Sequence, residues 1–193
     1  MQTFTIDLPQ PYLIPPLPVV AVLVGCGGTG SVVAQHLARL AWHLRDQGGP
    51  PLHLCFIDGD RVETKNIGRQ WFCPAERGQN KAQTLATRLS AALGLSIDTI
   101  PQMATGDMLT RYLRGCRTQA LSLVIGAVDT VVARRELVQT LRDTDALWLD
   151  GGNHEASGQV AIGNVTRRTQ LRGAFQAGLC TALPAPSLVY PNL

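Results

Sequence analysis

Lysine is scarce in this sequence. Of 17 basic residues only Lys65 and Lys81 are lysine, and the rest are arginine. A net charge of +3 with no acidic or basic tail gives no electrostatic footprint for nucleic acid. No run approaches the roughly 20 apolar residues of a membrane span. The N-terminus MQTFTIDLPQ carries an acid where a secretory signal would carry basic residues, so a cytoplasmic protein is expected. The five cysteines, Cys26, Cys55, Cys73, Cys116 and Cys180, are odd in number and contain no CxxC. A disulfide framework is therefore disfavoured, and no zinc is expected.

What is present is an ordinary globular composition, 45% hydrophobic and 16% charged over 193 residues. Residues 1–18 read as a proline-rich leader, because PQPYLIPPLP at 9–18 removes amide donors and fixes φ. Val19–Val24 is a continuous β-branched run suited to a strand buried on both faces. It enters GCGGTG, and a helix follows with Val33, Leu37, Leu40, Ala41 and Leu44 on one face. Further strands are expected at 52–57, 97–100, 121–127, 147–150 and 159–165, and helices at 80–93, 107–114 and 131–141. Such alternation predicts an α/β, Rossmann-like three-layer domain with a mainly parallel sheet. The boundaries read as 19–170 for the domain and 171–193 for a C-terminal extension or truncated crossover segment. The aperiodic stretch 61–79 is long for a loop, which points to function.

Chemistry gathers around that loop. Gly25-x-Gly27-Gly28-x-Gly30 lies between a strand and a helix, where glycines let phosphate approach the helix N-terminus. Alone it is a weak signal that a plain turn would also give. Asp58 ends the second strand, positioned to reach a ribose. Together these say nucleotide without saying which. Arg69 and Lys81 argue for a triphosphate, whose charge must be neutralised, and Asp129 at the tip of the third buried strand suits Mg²⁺. Asn80 is placed to cap a helix whose first residue is Lys81. An NAD(P)-dependent oxidoreductase, the main rival, explains the glycines and Asp58 but leaves Arg69, Lys81 and Asp129 without work.

The set GCGGTG, Asp58-Gly59-Asp60, Asn66-x-x-Arg69-Gln70, Lys81 and Asp129…Arg134 resembles the ThiF/MoeB/HesA family, relatives of the ubiquitin-activating enzymes. On the GN…SGQV segment (Gly152–Val160) it is most similar to the ThiF-like proteins of bacterial PRTRC cassettes. The resemblance implies ATP-dependent adenylation of the C-terminal carboxylate of a small ubiquitin-like or sulfur-carrier protein ending in Gly, by a homodimer. By position, Asp58 would hold the ribose, Asn66, Arg69 and Lys81 the phosphates, and Asp129 Mg²⁺. Asp60 is either a ligand or a loop cap, Gln70 either a contact or a brace, and Lys65 reads as a solvated residue. Cys180 lies where some members carry an acyl-accepting thiol. His154 reads as exposed loop.

Departures accompany the match. Many members donate an N-terminal arginine to the partner's ATP site, and here no arginine precedes Arg39. The chain ends at Leu193, soon after the point where members continue with a crossover segment. A short member is expected, with a catalytically inactive nucleotide- or carrier-binding scaffold as the alternative.

Overall fold

The computed structural model describes residues 17–116, 120–142, 144, 146–153, 158–172, 175–176, 179–180 and 182–189. Nearly all of the proline-rich leader, and His154, lie outside the described residues. Six strands form one sheet in the order β3-β2-β1-β4-β5-β6. They are β1 Val19–Val24, β2 Leu52–Ile57, β3 Ile97–Ile100, β4 Leu121–Gly126, β5 Leu147–Asn153 and β6 Gly158–Gly163. The first five run parallel and β6 pairs antiparallel with β5. The helices are α1 Gly28–Asp46, α2 Lys81–Leu93, α3 Gly106–Cys116, α4 Val131–Leu141 and the short α5 Pro186–Val189. Phe175–Gln176 (β7) and Leu179–Cys180 (β8) make a separate two-stranded sheet.

The unbroken apolar run of β1 follows from its central place. Ala21 and Leu23 enter the core under α1 and α2, and Val20, Val22 and Val24 enter the opposite core under α3 and α4. In β2, Leu54 and Phe56 face the first core while Cys55 and Ile57 face the second. A strand with a core on each face has no polar side to alternate with.

Helix α1 keeps its expected face at Leu37 and Ala41, with Val33 packed against the same core, and departs from it at Leu40. Ser31, Ala34, Leu37, Ala38 and Ala41 are buried, whereas Leu40 is 47% exposed. Small residues turn inward because α1 lies close against the sheet, and Leu40 is displaced to the rim. Helix α2 buries Ala82, Leu85, Ala86 and Leu89 as its spacing predicts, and also Lys81 and Thr84. Helix α3 is longer than expected from the sequence, starting at Gly106 and reaching Cys116. The long loop contains two single 3-10 turns, Thr64–Asn66 and Pro74–Glu76. Residues 182–189 return to the sheet: Asn164 and Val165 donate to the Leu183 carbonyl, and Ala185 is buried in the α3/α4 core. Among the described residues no helix is long and apolar enough to cross a membrane.

Candidate functional site

The sheet reverses direction of winding between β1 and β4, and in open α/β sheets ligands bind in the crevice beyond the strand ends there. Gly25 leaves β1 at φ +92°, and a Cβ at that position would stand 2.6 Å from the Ala127 carbonyl oxygen. A Cβ on Gly30 would overlap the Gly25 carbonyl oxygen. These two glycines close the turn, bringing the α1 N-terminus to the crevice. A Cβ on Gly27 or Gly28 would make only ordinary contacts, with the Gln70 amide nitrogen at 3.8 Å and the Arg69 carbonyl oxygen at 4.0 Å.

Asp58 ties this turn to the next strand. Its carboxylate accepts from the Cys26 amide at 2.6 Å and from the Asp60 amide at 2.7 Å. Burial raises the Asp58 carboxyl above its usual value, and the two amides and Lys81 draw it back. Burial likewise pushes the Cys55 thiol up to about 12, and the buried Cys26 thiol is raised as well, so neither suits thiolate chemistry.

Asn80 locks the start of α2 to the same loop. Its Oδ1 accepts from the Gln83 amide at 3.0 Å, as an N-cap does, and its Nδ2 donates to the Asp58 and Asp60 carbonyls at 2.7 and 3.1 Å. Lys81 follows with its side chain only 7% exposed, and its ammonium pairs with Asp60 at 2.9 Å. Asp58, Asp60, the glycine turn and Lys81 thus form one connected cluster.

The 66–71 loop meets the glycine turn through Ser31, whose hydroxyl donates to the Gly28 carbonyl and accepts from the Trp71 amide. Asn66 is buried and accepts from the Glu63 amide at 2.8 Å, which braces the loop. Arg69 is exposed, its Nε bonded to the Lys65 carbonyl at 3.0 Å. Gln70 lies against Gly27, and its Oε1 is buried without a hydrogen-bond partner among the described residues. Lys65 is exposed and pairs with Glu63. Asp129 is exposed in the β4–α4 loop, two residues beyond the Ala127 that packs on Gly25. The described residues hold no group of three or more His, Cys, Asp or Glu able to bind a metal by themselves. A single hard oxygen donor such as Asp129 suits Mg²⁺, which takes much of its coordination from substrate phosphates and water. Cys180 lies in the small β7–β8 sheet, separate from the six-stranded one.

Sequence reasoning missed Asp150. It is 1% exposed in β5, with its Oδ2 3.3 Å from Arg134 Nε. Its Oδ1, and the nearby Trp148 Nε1, are buried without partners among the described residues. The only signal was an acid ending an apolar strand. Burial raises the Asp150 carboxyl and Arg134 opposes the rise. A carboxyl raised on folding adds stability that is fully present below its usual 3.8 and lost as pH climbs through the folded value. Asp150→Asn lacks that contribution. The difference in unfolding free energy, wild type minus variant, should therefore be larger at pH 4 than at pH 7. Urea titrations at both pH values check this. A gap that widens toward pH 7 would mean Arg134 outweighs burial.

A shallow groove of about 210 Å³ passes from Thr29 on α1 to Gly151, Gly152, Gly158, Gln159 and Val160. It opens beside the glycine turn, and its lining combines three glycines with Thr29, Gln159 and Val160.

The profile of the ThiF family matches residues 19–179. The chain belongs to the ThiF family. Similar proteins include ubiquitin-like modifier-activating enzyme 5 of Oryza sativa subsp. japonica, 28% identical over 152 residues, covering 72% of this chain and 34% of the relative. The same enzyme of Dictyostelium discoideum is 27% identical, covering 73% and 37%. Among solved structures, the E. coli tRNA N6-threonylcarbamoyladenosine dehydratase TcdA in complex with AMP is similar at TM-score 0.56 and 26% identity, covering 69% of this chain and 51% of that one. This ThiF-family chain spans about a third of the length of the curated relatives and half of the solved structure.

Proposed function

We propose that this ThiF-family chain adenylates the C-terminal carboxylate of a small ubiquitin-like or sulfur-carrier protein ending in Gly. A carboxylate oxygen attacks the α-phosphorus of ATP, and the bond to the bridging oxygen breaks, releasing pyrophosphate and leaving an acyl-adenylate. The observation that carries this reading is the buried Lys81 ammonium, bound into the same cluster as Asp58 and the glycine turn. A dinucleotide site has no use for that cation. In this reading Asp58 takes the ribose, and Arg69, Lys81 and Asn66 take the phosphates, while Gln70 borders Gly27. Asp129 would hold Mg²⁺, which supplies charge neutralisation. In this reading the carrier's glycine tail takes the groove past Thr29, which is lined in part by Gly151, Gly152 and Gly158. Cys180 is kept as a candidate acyl acceptor. We also read the chain as a cytoplasmic homodimer of the PRTRC-associated branch.

The test is ATP–pyrophosphate exchange with and without a Gly-ended β-grasp carrier, beside thermal melts with MgATP and NADH. Carrier-dependent exchange is expected, and MgATP at 100 times its Kd should add about 2.7 kcal/mol of stability. A melt shift with NADH and none with MgATP would overturn the reading. MgATP binding with no exchange under any carrier would make the chain a scaffold.

A further inference from the structure

We infer that Asp60 is not a nucleotide ligand but the resident counter-ion of Lys81, a latch that an incoming phosphate displaces. This rests on the proposed phosphate role of Lys81. The Lys81 side chain is 7% exposed and Asp60 Oδ2 is 2.9 Å from its ammonium. A buried ammonium without a partner is costly, so an anion has to stand there whether or not nucleotide is bound. Asp58 feels the same charge, but its oxygens are turned to the Cys26 and Asp60 amides and the ion pair itself is made by Asp60.

The backbone of Asp60 cannot retreat. Its amide donates to Asp58, and its carbonyl accepts from the Lys81 amide at 2.9 Å and from Asn80 Nδ2 at 3.1 Å. Its side chain is free to turn, being 51% exposed. Rotation about χ1 moves the carboxylate into water without disturbing any of those three bonds. A phosphate reaching Lys81 would otherwise meet a second anion on the same ammonium, and like charges sharing one site repel. Asp60 therefore aims and holds the lysine in the empty site, then yields it. Binding of a triphosphate works against this latch, whereas binding of adenosine does not touch it.

Isothermal titration with ATP and with adenosine, on wild type and Asp60→Asn, tests the latch. The variant should bind ATP about two- to fivefold more tightly, as release from a partly exposed ion pair allows, with adenosine affinity unchanged. In a Lys81→Met background, Asp60→Asn should have no effect on ATP. Urea titrations without ligand report whether each variant is folded. Weaker binding of both ligands by Asp60→Asn would make Asp60 a ribose ligand and overturn the inference. Unchanged ATP affinity, in a wild type whose Lys81→Met variant binds ATP weakly, would overturn the latch alone. A wild type that binds no ATP would overturn the adenylation reading and the latch with it.

Discussion

Lys81→Met should give a folded protein whose ATP–pyrophosphate exchange is lower by about two to three orders of magnitude, the usual scale for removing one preorganised charge. Methionine keeps an unbranched stem in a site where Lys81 is 6% exposed. Alanine is the poorer probe, since it would leave a cavity and confound stability with chemistry. Asp60, half-exposed, can rehydrate once its partner is gone. Lys81 is also the first residue of α2, where a cation opposes the helix dipole by about 0.3–1 kcal/mol. Loss of the ion pair and relief from the dipole pull in opposite directions, so the melting temperature should move by only a few degrees. Lys81→Arg should restore little, because a planar fork needs room that a compact ammonium does not. Melting curves without nucleotide and exchange rates with it form the paired measurement. Near-wild-type exchange in Lys81→Met would refute the phosphate role at its most specific point.

The frame of this site was legible because it depends on local chemistry. β1, β2 and α4 begin and end where composition puts them, and Asn80 caps the helix that Lys81 opens. A run buried on both faces, a glycine turn and a side-chain cap are each decided within a few residues. What was not legible depends on distant partners. Leu40 belongs to the apolar stripe of α1 by spacing but is exposed, because the approach of α1 to the sheet selects Ala34 and Ala38 instead. Asn66 has the residue type of a phosphate ligand, yet its visible bond is to the Glu63 amide of its own turn. Asp150 acquires meaning only through Arg134, sixteen positions earlier in sequence and a layer away in the fold. The pairing of Lys81 with Asp60 is of the same kind, since nothing in the spacing of 21 residues announces it.

The four glycines of the fingerprint should separate into two pairs when each is replaced by alanine. Gly30→Ala is expected to cost about 3 kcal/mol or more, since its Cβ would overlap the Gly25 carbonyl oxygen. Neither atom sits on a flexible side chain, so the clash can be relieved only by moving β1 or α1 out of the crevice. Gly25→Ala should be as damaging, for it adds a Cβ 2.6 Å from the Ala127 carbonyl oxygen at a φ of +92° that L-residues seldom adopt. Gly27→Ala and Gly28→Ala meet nothing closer than 3.8 and 4.0 Å, and both should fold with urea midpoints near wild type. Their cost should appear with ligand. The uncrowded side of Gly27 is where a phosphate would approach the amides at the start of α1, and a methyl group there holds it away. Gly27→Ala should therefore weaken MgATP binding at least tenfold, about 1.4 kcal/mol, while its unfolding free energy is unchanged. Urea titrations across all four variants, followed by MgATP titrations of those that fold, make the comparison. Tight MgATP binding by Gly27→Ala would mean the phosphates lie elsewhere, and a stable Gly30→Ala would mean the β1–α1 turn is looser than its backbone contacts require.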